Sequence, residues 1–167
     1  MDAHRLKLLQ NMPIFSALNE SALEFIERHC ETRTILLGDP VFLEGDPANS
    51  LFILESGEAE VLKTCDPDLR RLSYLNPGDC FGEMAIVDHQ PRSATVMAIS
   101  DCQALEITAE HLYALKAHDP DQFIQIQANL LRELSRRLRF LDDKLAKTQP
   151  EMLQKSLLAQ WVIGSFD

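Results

Sequence analysis

The chain of 167 residues has few of the features that mark metal sites or membrane proteins. Its four cysteines (Cys30, Cys65, Cys80 and Cys102) form no C-x-x-C pair, and no histidine cluster completes a zinc pattern. No apolar run approaches the roughly 20 residues of a membrane span. The N-terminus also lacks the apolar core of a signal peptide. These absences predict a cytoplasmic protein with reduced thiols, no metal or other cofactor and no membrane partner.

Basic charge is also scarce. The sequence has 16 Lys and Arg against 26 Asp and Glu, which gives a formal net charge of −10. Such a charge repels a nucleic-acid backbone, and no basic cluster stands out, so DNA binding by this chain is disfavoured. The hydrophobic fraction of 46% and the charged fraction of 25% are those of a globular protein. The length suits one domain with a core and an appendage.

The first part of the chain has a helical pattern that is interrupted at Pro13. Asn19 and Ser21 are residue types that cap helices. An apolar face then follows at helical spacing: Leu23, Phe25, Ile26 and Cys30. We therefore expect an N-terminal helical lead-in over residues 1–32.

Residues 33–119 change character, because short apolar stretches alternate with Gly, Pro and Asp turns. The stretches are Val41–Leu43, Leu51–Leu54, Ala59–Leu62, Leu69–Leu75, Thr95–Ile99 and Ala104–Ile107. This pattern predicts a compact all-β barrel or jelly roll. Residues 65–68 should form an exposed hairpin connection, and a short helix capped at Thr108 should follow the last strand.

A long helix is predicted over residues 120–149, with Pro120 in its first turn and Pro150 beyond its end. Leucines repeat in it at heptad spacing: Leu131, Leu134, Leu138, Leu141 and Leu145. An a/d seam over about three heptads predicts a homodimer, although a helix buried in its own subunit also explains leucines at helical spacing. A second apolar stripe can lie against the barrel: Phe123, Ile126 and Leu130.

Residues 150–167 form the last predicted segment. Leu153, Leu157 and Trp161 fall at four-residue spacing, which predicts a short amphipathic helix. The segment is too short for a helix-turn-helix domain. It either packs back onto the dimer or presents Trp161 to an unidentified protein effector.

One segment, residues 80–97, concentrates the residues that can bind an anion. Gly82 removes a side chain where a ligand can approach the backbone, and a helical turn from Glu83 would direct N–H groups at an anion. Arg92 can grip a phosphate through two parallel hydrogen bonds. Glu83 suits neutral hydroxyls, so the set describes a phosphorylated sugar better than a simple anion. From residue types alone, a surface turn with an exposed Glu–Arg pair is the simpler explanation.

The order F-G-E-x-A followed by P-R-S-A-T in this segment resembles the phosphate-binding cassette of cyclic nucleotide-binding domains. That family includes bacterial cAMP receptor proteins, protein kinase regulatory subunits and nucleotide-gated channels. The resemblance implies a mainly β fold with flanking helices, a double-stranded β-helix (jelly roll) barrel, a helical lead-in and a long C-terminal dimerisation helix. We call residues 81–96 the cassette.

The resemblance also implies roles for individual residues. Glu83 would bind the ribose 2′-hydroxyl, and Arg92 with the backbone amides near Gly82 and Ala85 would bind the cyclic phosphate. The implied ligand-binding set is Gly82, Glu83, Met84, Ala85, Arg92, Ser93 and Ala94. Ser93 stands where cGMP-selective kinase domains tend to place threonine, so the implied ligand is cAMP, with cGMP left open.

Two further groups of contacts follow from the resemblance to bacterial cAMP receptors. The implied base-pocket positions are Val61, Leu72 and Ser73. A strand-core role also suits Val61 and Leu72. The implied lid contacts on the long helix are Arg137, Phe140 and Asp142. The Thr-Ser pair of that family is absent from the corresponding position.

Together these observations predict a cytoplasmic signal-transduction protein in which cyclic nucleotide binding changes the arrangement of the helices and the dimer. Two alternatives stay open. The chain could be the sensor half of a transcription regulator without its DNA-binding domain, or an interaction module that no longer binds nucleotide. An enzyme is not expected, because Asp88, His89 and Ser93 are neighbours in one loop and do not supply a catalytic triad.

Overall fold

The computed structural model describes residues 3–148, in which the strands form two four-stranded antiparallel sheets. The strands are β1 (Glu31–Ile35), β2 (Pro40–Phe42), β3 (Ser50–Ser56), β4 (Ala59–Cys65), β5 (Asp68–Leu75), β6 (Cys80–Phe81), β7 (Thr95–Ala98) and β8 (Cys102–Thr108). The first sheet has the order β1-β8-β3-β6 and the second the order β2-β7-β4-β5. The predicted jelly-roll architecture is confirmed.

Helices flank the sheets in the predicted places. They are α1 (Ala3–Gln10), α2 (Glu20–His29), α3 (Met84–Asp88), α4 (Ala109–His118) and α5 (Pro120–Thr148), and a short 3-10 turn covers Pro13–Phe15. Both predicted caps form, since the side chain of Asn19 accepts a hydrogen bond from Ala22 N–H and that of Thr108 accepts one from His111 N–H. The predicted helix with Leu153, Leu157 and Trp161 lies outside the described residues.

Strand β3 is buried on both faces, which explains its unbroken apolar run. Leu51 and Ile53 belong to a core shared with the lead-in helices, α4 and the first part of α5. Phe52 and Leu54 belong to the second core, which also contains apolar side chains of β2, β4 and β7. The first residue of this doubly buried strand, Ser50, contributes to the candidate site.

Two strands were not foreseen from the pattern. Strand β1 begins at Glu31, earlier than the predicted start of the β region, and only Ile35 in it is buried. An edge strand of this kind pairs with β8 without any alternation of apolar and polar residues. Strand β6 has two residues, Cys80 and Phe81, and is too short to show a period.

The first part of α5 carries the second apolar stripe as predicted. Ile126 and Leu130 are buried in the core of the lead-in, and Phe123 packs against it partly buried. Asn129, on the same face, donates through Nδ2 to the carbonyl oxygens of Ile14 and Ser16, both at 2.8 Å. These bonds attach the start of α5 to the lead-in.

Of the described residues, 131–148 belong to a second structural unit. Four of the heptad leucines in it are 58–61% exposed: Leu131, Leu138, Leu141 and Leu145. Leu134 is half-buried. The homodimer stays a prediction. Within residues 3–148, no helix combines the length and the apolarity needed to cross a bilayer.

Candidate functional site

Arg92 is a buried cation at the centre of the cassette, with 6% of its surface exposed. Its Nη1 donates to the carbonyl oxygens of Ser50 at 2.7 Å and Gly82 at 2.9 Å, and its Nη2 donates to Ser50 Oγ at 3.0 Å. The guanidinium lies over the Phe42 ring, with Cζ 4.1 Å from the ring centroid. Three segments of the chain therefore fix the position of one charge.

The hydrogen bonding of the Arg92 guanidinium is incomplete. Its Nε is buried and has no partner among the described residues, which is rare for a buried N–H group. Burial lowers the pKa of Arg92, nearby carboxylates oppose that shift, and the side chain stays protonated at any physiological pH. A buried positive group with an unused N–H suits an anion that brings further acceptor oxygens.

Gly82 makes room for this arginine. Its φ angle is +73°, and a Cβ atom at this position would lie 2.5 Å from Arg92 Nη1. A residue with a side chain would be strained here and would displace the guanidinium. The sequence predicted a glycine for close ligand approach, and the structure adds this second reason for it.

Glu83 is the buried carboxylate of the site, 2% exposed. It directly precedes α3, and its carbonyl oxygen accepts hydrogen bonds from the N–H groups of Ile86 and Val87 at 3.1 and 3.2 Å. Helix α3 matches the predicted helical turn. Because both Glu83 and Arg92 are buried, the simpler interpretation of an exposed surface pair is wrong.

The other cassette residues lie at the two ends of the same loop. Ala85 and Ala94 are small and buried, whereas Met84 and Ser93 are exposed. The Ser93 hydroxyl donates to Met84 Sδ at 3.6 Å, so the start of α3 and the residue after Arg92 are in contact. The structure thus brings the predicted ligand-binding residues together, and their roles toward a nucleotide stay a prediction.

The loop between β2 and β3 supports the cassette, which the sequence did not indicate. Gly45 N–H donates to the Arg92 carbonyl oxygen, and Arg92 N–H donates to the Asp46 carbonyl oxygen, both at 2.9 Å. This reciprocal pair holds the backbone of Arg92 on either side of its Cα atom.

A lysine and a glutamate add a further support. Lys63 Nζ donates to Glu44 Oε1 at 2.5 Å and to the Ser93 carbonyl oxygen at 2.6 Å. The hydrogen bonds from Lys63 and from Thr64 N–H lower the pKa of Glu44 to about 2. Sequence analysis missed Ser50, Glu44 and Lys63, because each bonds to residues 19 or more positions away and no local spacing signals this.

The predicted base-pocket residues lie on neighbouring strands. Val61 is half-buried and pairs with Ser73 across β4 and β5. Leu72 is an extra residue at a register shift in this pair and is 52% exposed, like every residue of the edge strand β5 before Leu75. A core role for Leu72 is therefore wrong, and its contact with a base stays a prediction.

The predicted lid residues all lie in the second unit, beyond Leu131. Arg137 Nε donates to Glu133 at 3.2 Å, and Phe140 is exposed with Lys144 Nζ 4.5 Å from its ring centroid. Asp142 is exposed. Their action as a lid stays a prediction.

Comparison with known proteins bears on the cassette. Residues 32–119 match the family described as cyclic nucleotide-binding domain. The cyclic AMP receptor protein of Thermus thermophilus is 30% identical over 138 residues, which are 82% of this chain and 62% of the relative. The chain therefore spans less than two thirds of that relative's length.

Solved structures show the same likeness. The crystal structure of the Thermus thermophilus catabolite activator protein matches with a TM-score of 0.71 and 31% identity, over 81% of this chain and 62% of that one. The regulatory domain of Toxoplasma gondii PKA, co-crystallised with cAMP, matches with a TM-score of 0.63 and 28% identity, over 69% of this chain and 46% of that one.

Proposed function

Because the chain belongs to the cyclic nucleotide-binding domain family, we propose that its cassette binds cAMP and that binding is coupled to the arrangement of α5 and of a homodimer. The observation that carries the proposal is the buried Arg92 with its unpartnered Nε, one loop away from the buried Glu83. A ligand with both a phosphate and a hydroxyl suits these two groups.

Arg92 takes the cyclic phosphate in this proposal. Its Nη1 is bound by two carbonyl oxygens of the protein, so Nε remains as a donor for a phosphate oxygen. Glu83 accepts a hydrogen bond from a ribose hydroxyl, which requires its carboxylate to be held in a fixed place, and its burial directly before α3 supplies that.

The preference for cAMP over cGMP rests on two supports. The named relatives are a cyclic AMP receptor and a kinase regulatory domain solved with cAMP. The residue after Arg92 is Ser93 and not the threonine that cGMP-selective kinase domains tend to carry. Its hydroxyl bonds only to the weak acceptor Met84 Sδ among the described residues, so it can still bond to either nucleotide. The base-pocket set (Val61, Leu72, Ser73) and the lid set (Arg137, Phe140, Asp142) belong to the same proposal.

Isothermal titration calorimetry with cAMP and cGMP tests the proposal. We expect one cAMP per chain and weaker binding of cGMP. Arg92→Ala should weaken cAMP binding at least tenfold, because it removes charged hydrogen bonds worth about 1.5–3 kcal/mol. Arg92→Lys keeps the charge without the planar fork and should be intermediate. Equal affinity of wild type and Arg92→Ala would show that the cassette assignment is wrong.

The dimer is tested through its exposed leucines. The double variant Leu138→Ala with Leu145→Ala should be monomeric in sedimentation velocity, because both side chains belong to the heptad seam. Tyr113→Ala is the matched control, since Tyr113 is equally exposed but lies on α4. A monomeric wild type, or a dimeric double variant, would contradict the proposed seam.

We propose binding rather than catalysis as the activity. No group of three or more His, Cys, Asp or Glu residues that could hold a metal occurs within residues 3–148. An interaction module without a ligand is opposed by the buried Nε of Arg92, which has no partner among the described residues and is accounted for by a bound anion. Thermal shift assays with cAMP and cGMP separate a binding cassette from an interaction module without a ligand, because only the cassette is stabilised by nucleotide.

A further inference from the structure

Lys63 connects three segments that are distant in sequence. It lies on β4, and its ammonium donates to Glu44 in the loop between β2 and β3 and to the carbonyl oxygen of Ser93 in the cassette. Ser93 directly follows Arg92, so Lys63 is attached to the peptide next to the anion-binding side chain. It is a second cation at the cassette.

Glu44 is itself held by backbone and side-chain groups. Its Oε2 accepts a hydrogen bond from Thr64 N–H at 3.0 Å, and its own N–H donates to Thr95 Oγ1 at 2.9 Å. The carboxylate is therefore fixed by two neighbouring residues of β4, and the backbone of Glu44 is fixed at the start of β7. It keeps the Lys63 ammonium in one place rather than leaving it mobile in solvent.

The pair is not explained by stability alone. Both side chains are partly exposed, and ion pairs of that kind contribute little to the free energy of folding. What distinguishes this pair from other surface pairs is its third partner, the carbonyl oxygen of Ser93. Lys63 also shares a face of β4 with Val61, since residues two apart in a strand point the same way. Val61 packs against the core between the sheets.

We propose that Glu44 and Lys63 form a positioning pair for the cassette, in which Lys63 fixes the peptide after Arg92 and so sets the affinity for the cyclic nucleotide. This inference rests on the proposed function. A preorganised loop binds more tightly than a mobile one, because less conformational entropy is lost on binding. The pair contacts the backbone, so its effect is on the placement of Arg92 and Ser93.

Hydrogen–deuterium exchange of the cassette without nucleotide tests the positioning directly, and calorimetry with cAMP tests its consequence. Lys63→Met should raise amide exchange in residues 88–96 and weaken cAMP binding by roughly three- to tenfold. The expected loss is smaller than that for Arg92→Ala, because Lys63 bonds to the cassette backbone and not to the ligand. Lys63→Arg keeps the donors and the charge, so its amide exchange and its cAMP affinity should both be close to the wild-type values. Unchanged exchange, or raised exchange with unchanged affinity, would overturn the proposal.

Two further variants separate positioning from simple charge attraction. The exchanged pair, Glu44→Lys with Lys63→Glu, restores opposite charges but places no donor opposite the Ser93 carbonyl oxygen. It should behave like Lys63→Met, and recovery to wild-type exchange and affinity would refute the role of that bond. Arg71→Met is the matched control, because it removes the Arg71–Glu60 pair of the same hairpin and should leave the cassette unchanged.

The same experiment separates this inference from the proposed function. If wild-type protein binds no cyclic nucleotide, the proposed function fails. The exchange comparison then still decides whether the pair holds the cassette. If wild type binds and Lys63→Met binds equally well, the proposed function stands and only the positioning pair is refuted.

Discussion

Arg92 and Asn129 are both buried polar side chains, 6% and 5% exposed, and both bond to backbone carbonyls far away in the chain. Asn129 holds the first part of α5 to the lead-in, whereas Arg92 holds the cassette to Ser50 at the start of β3. Each is a polar attachment between segments that are otherwise packed through apolar side chains.

The two differ in how much of their hydrogen-bonding capacity the fold uses. The amide nitrogen of Asn129 has two N–H groups and two carbonyl acceptors, and its oxygen accepts from Gln125 Nε2 at 3.1 Å. Arg92 is charged, and one of its N–H groups has no partner among the described residues. A buried side chain whose hydrogen-bond donors and acceptors are all paired stabilises the fold. A buried side chain that is charged and keeps an unpaired donor can also bind a ligand.

Of the variants considered, Gly82→Ala should have the largest effect, because it displaces the Arg92 guanidinium from its position. The added Cβ would lie 2.5 Å from Arg92 Nη1, so the guanidinium must move, and we expect cAMP affinity to fall at least tenfold in calorimetry. The left-handed backbone should also cost about 1–2 kcal/mol of stability.

Gly78→Ala is the control for the cost of placing a side chain on a left-handed backbone. Its φ angle is +94°, and nothing lies within 4 Å of the added Cβ. This variant should lose similar stability in urea denaturation and keep its cAMP affinity. Equal affinity losses in both variants would mean that strain, not displacement of Arg92, is responsible.

Asn129→Ala should destabilise the protein without weakening the cassette. The buried carbonyl oxygen of Ile14 loses its donor, which should cost about 1–3 kcal/mol in urea denaturation. The affinity for cAMP, measured where the variant is fully folded, should stay at the wild-type value. A tenfold loss of affinity would show that the attachment of α5 takes part in binding and that the contrast with Arg92 is too simple.

Ser50→Ala tests the part of the Arg92 attachment that the fold uses. Nη2 loses its hydroxyl acceptor at 3.0 Å, while Nη1 keeps both carbonyl oxygens. We expect a loss of about 1 kcal/mol in stability by urea denaturation, the usual net value of one hydrogen bond. No loss of stability would indicate that the Ser50 hydroxyl is not needed to hold the guanidinium.

Glu44 should give the smallest effect, visible only as a pH dependence. Its pKa is lowered from 4.5 to about 2 in the folded protein, so its contribution to stability is complete above pH 4.5 and is lost as the pH falls toward 2. Urea denaturation of wild type and Glu44→Gln across this range should show curves that converge at the acid end. Parallel curves would contradict the Lys63–Glu44 pair.

The sequence predicted those parts of the structure that local chemistry decides. Asn19 and Thr108 cap helices because their side chains reach amides three residues away. The order of residues in the cassette indicated the family, and Pro120 marked the start of α5.

The parts that were missed depend on contacts distant in sequence. Nothing in the sequence around Ser50 marks it as a partner of Arg92, which follows 42 positions later and which only the fold brings close to it. Lys63 reaches Ser93 only because β4 pairs with β7. Leu72 was misjudged because β5 is an edge strand in which every residue before Leu75 is exposed, so its apolar residues do not mark a buried face.

The double burial of β3 also has a mechanical consequence. A strand with cores on both faces cannot be displaced along the sheet normal without compressing one core, and protein interiors resist compression. Ser50, its first residue, is therefore a fixed reference point that supplies two of the three acceptors of Arg92. If the cassette rearranges, it therefore moves relative to β3, and the bonds between Arg92 and Ser50 are the point about which it moves.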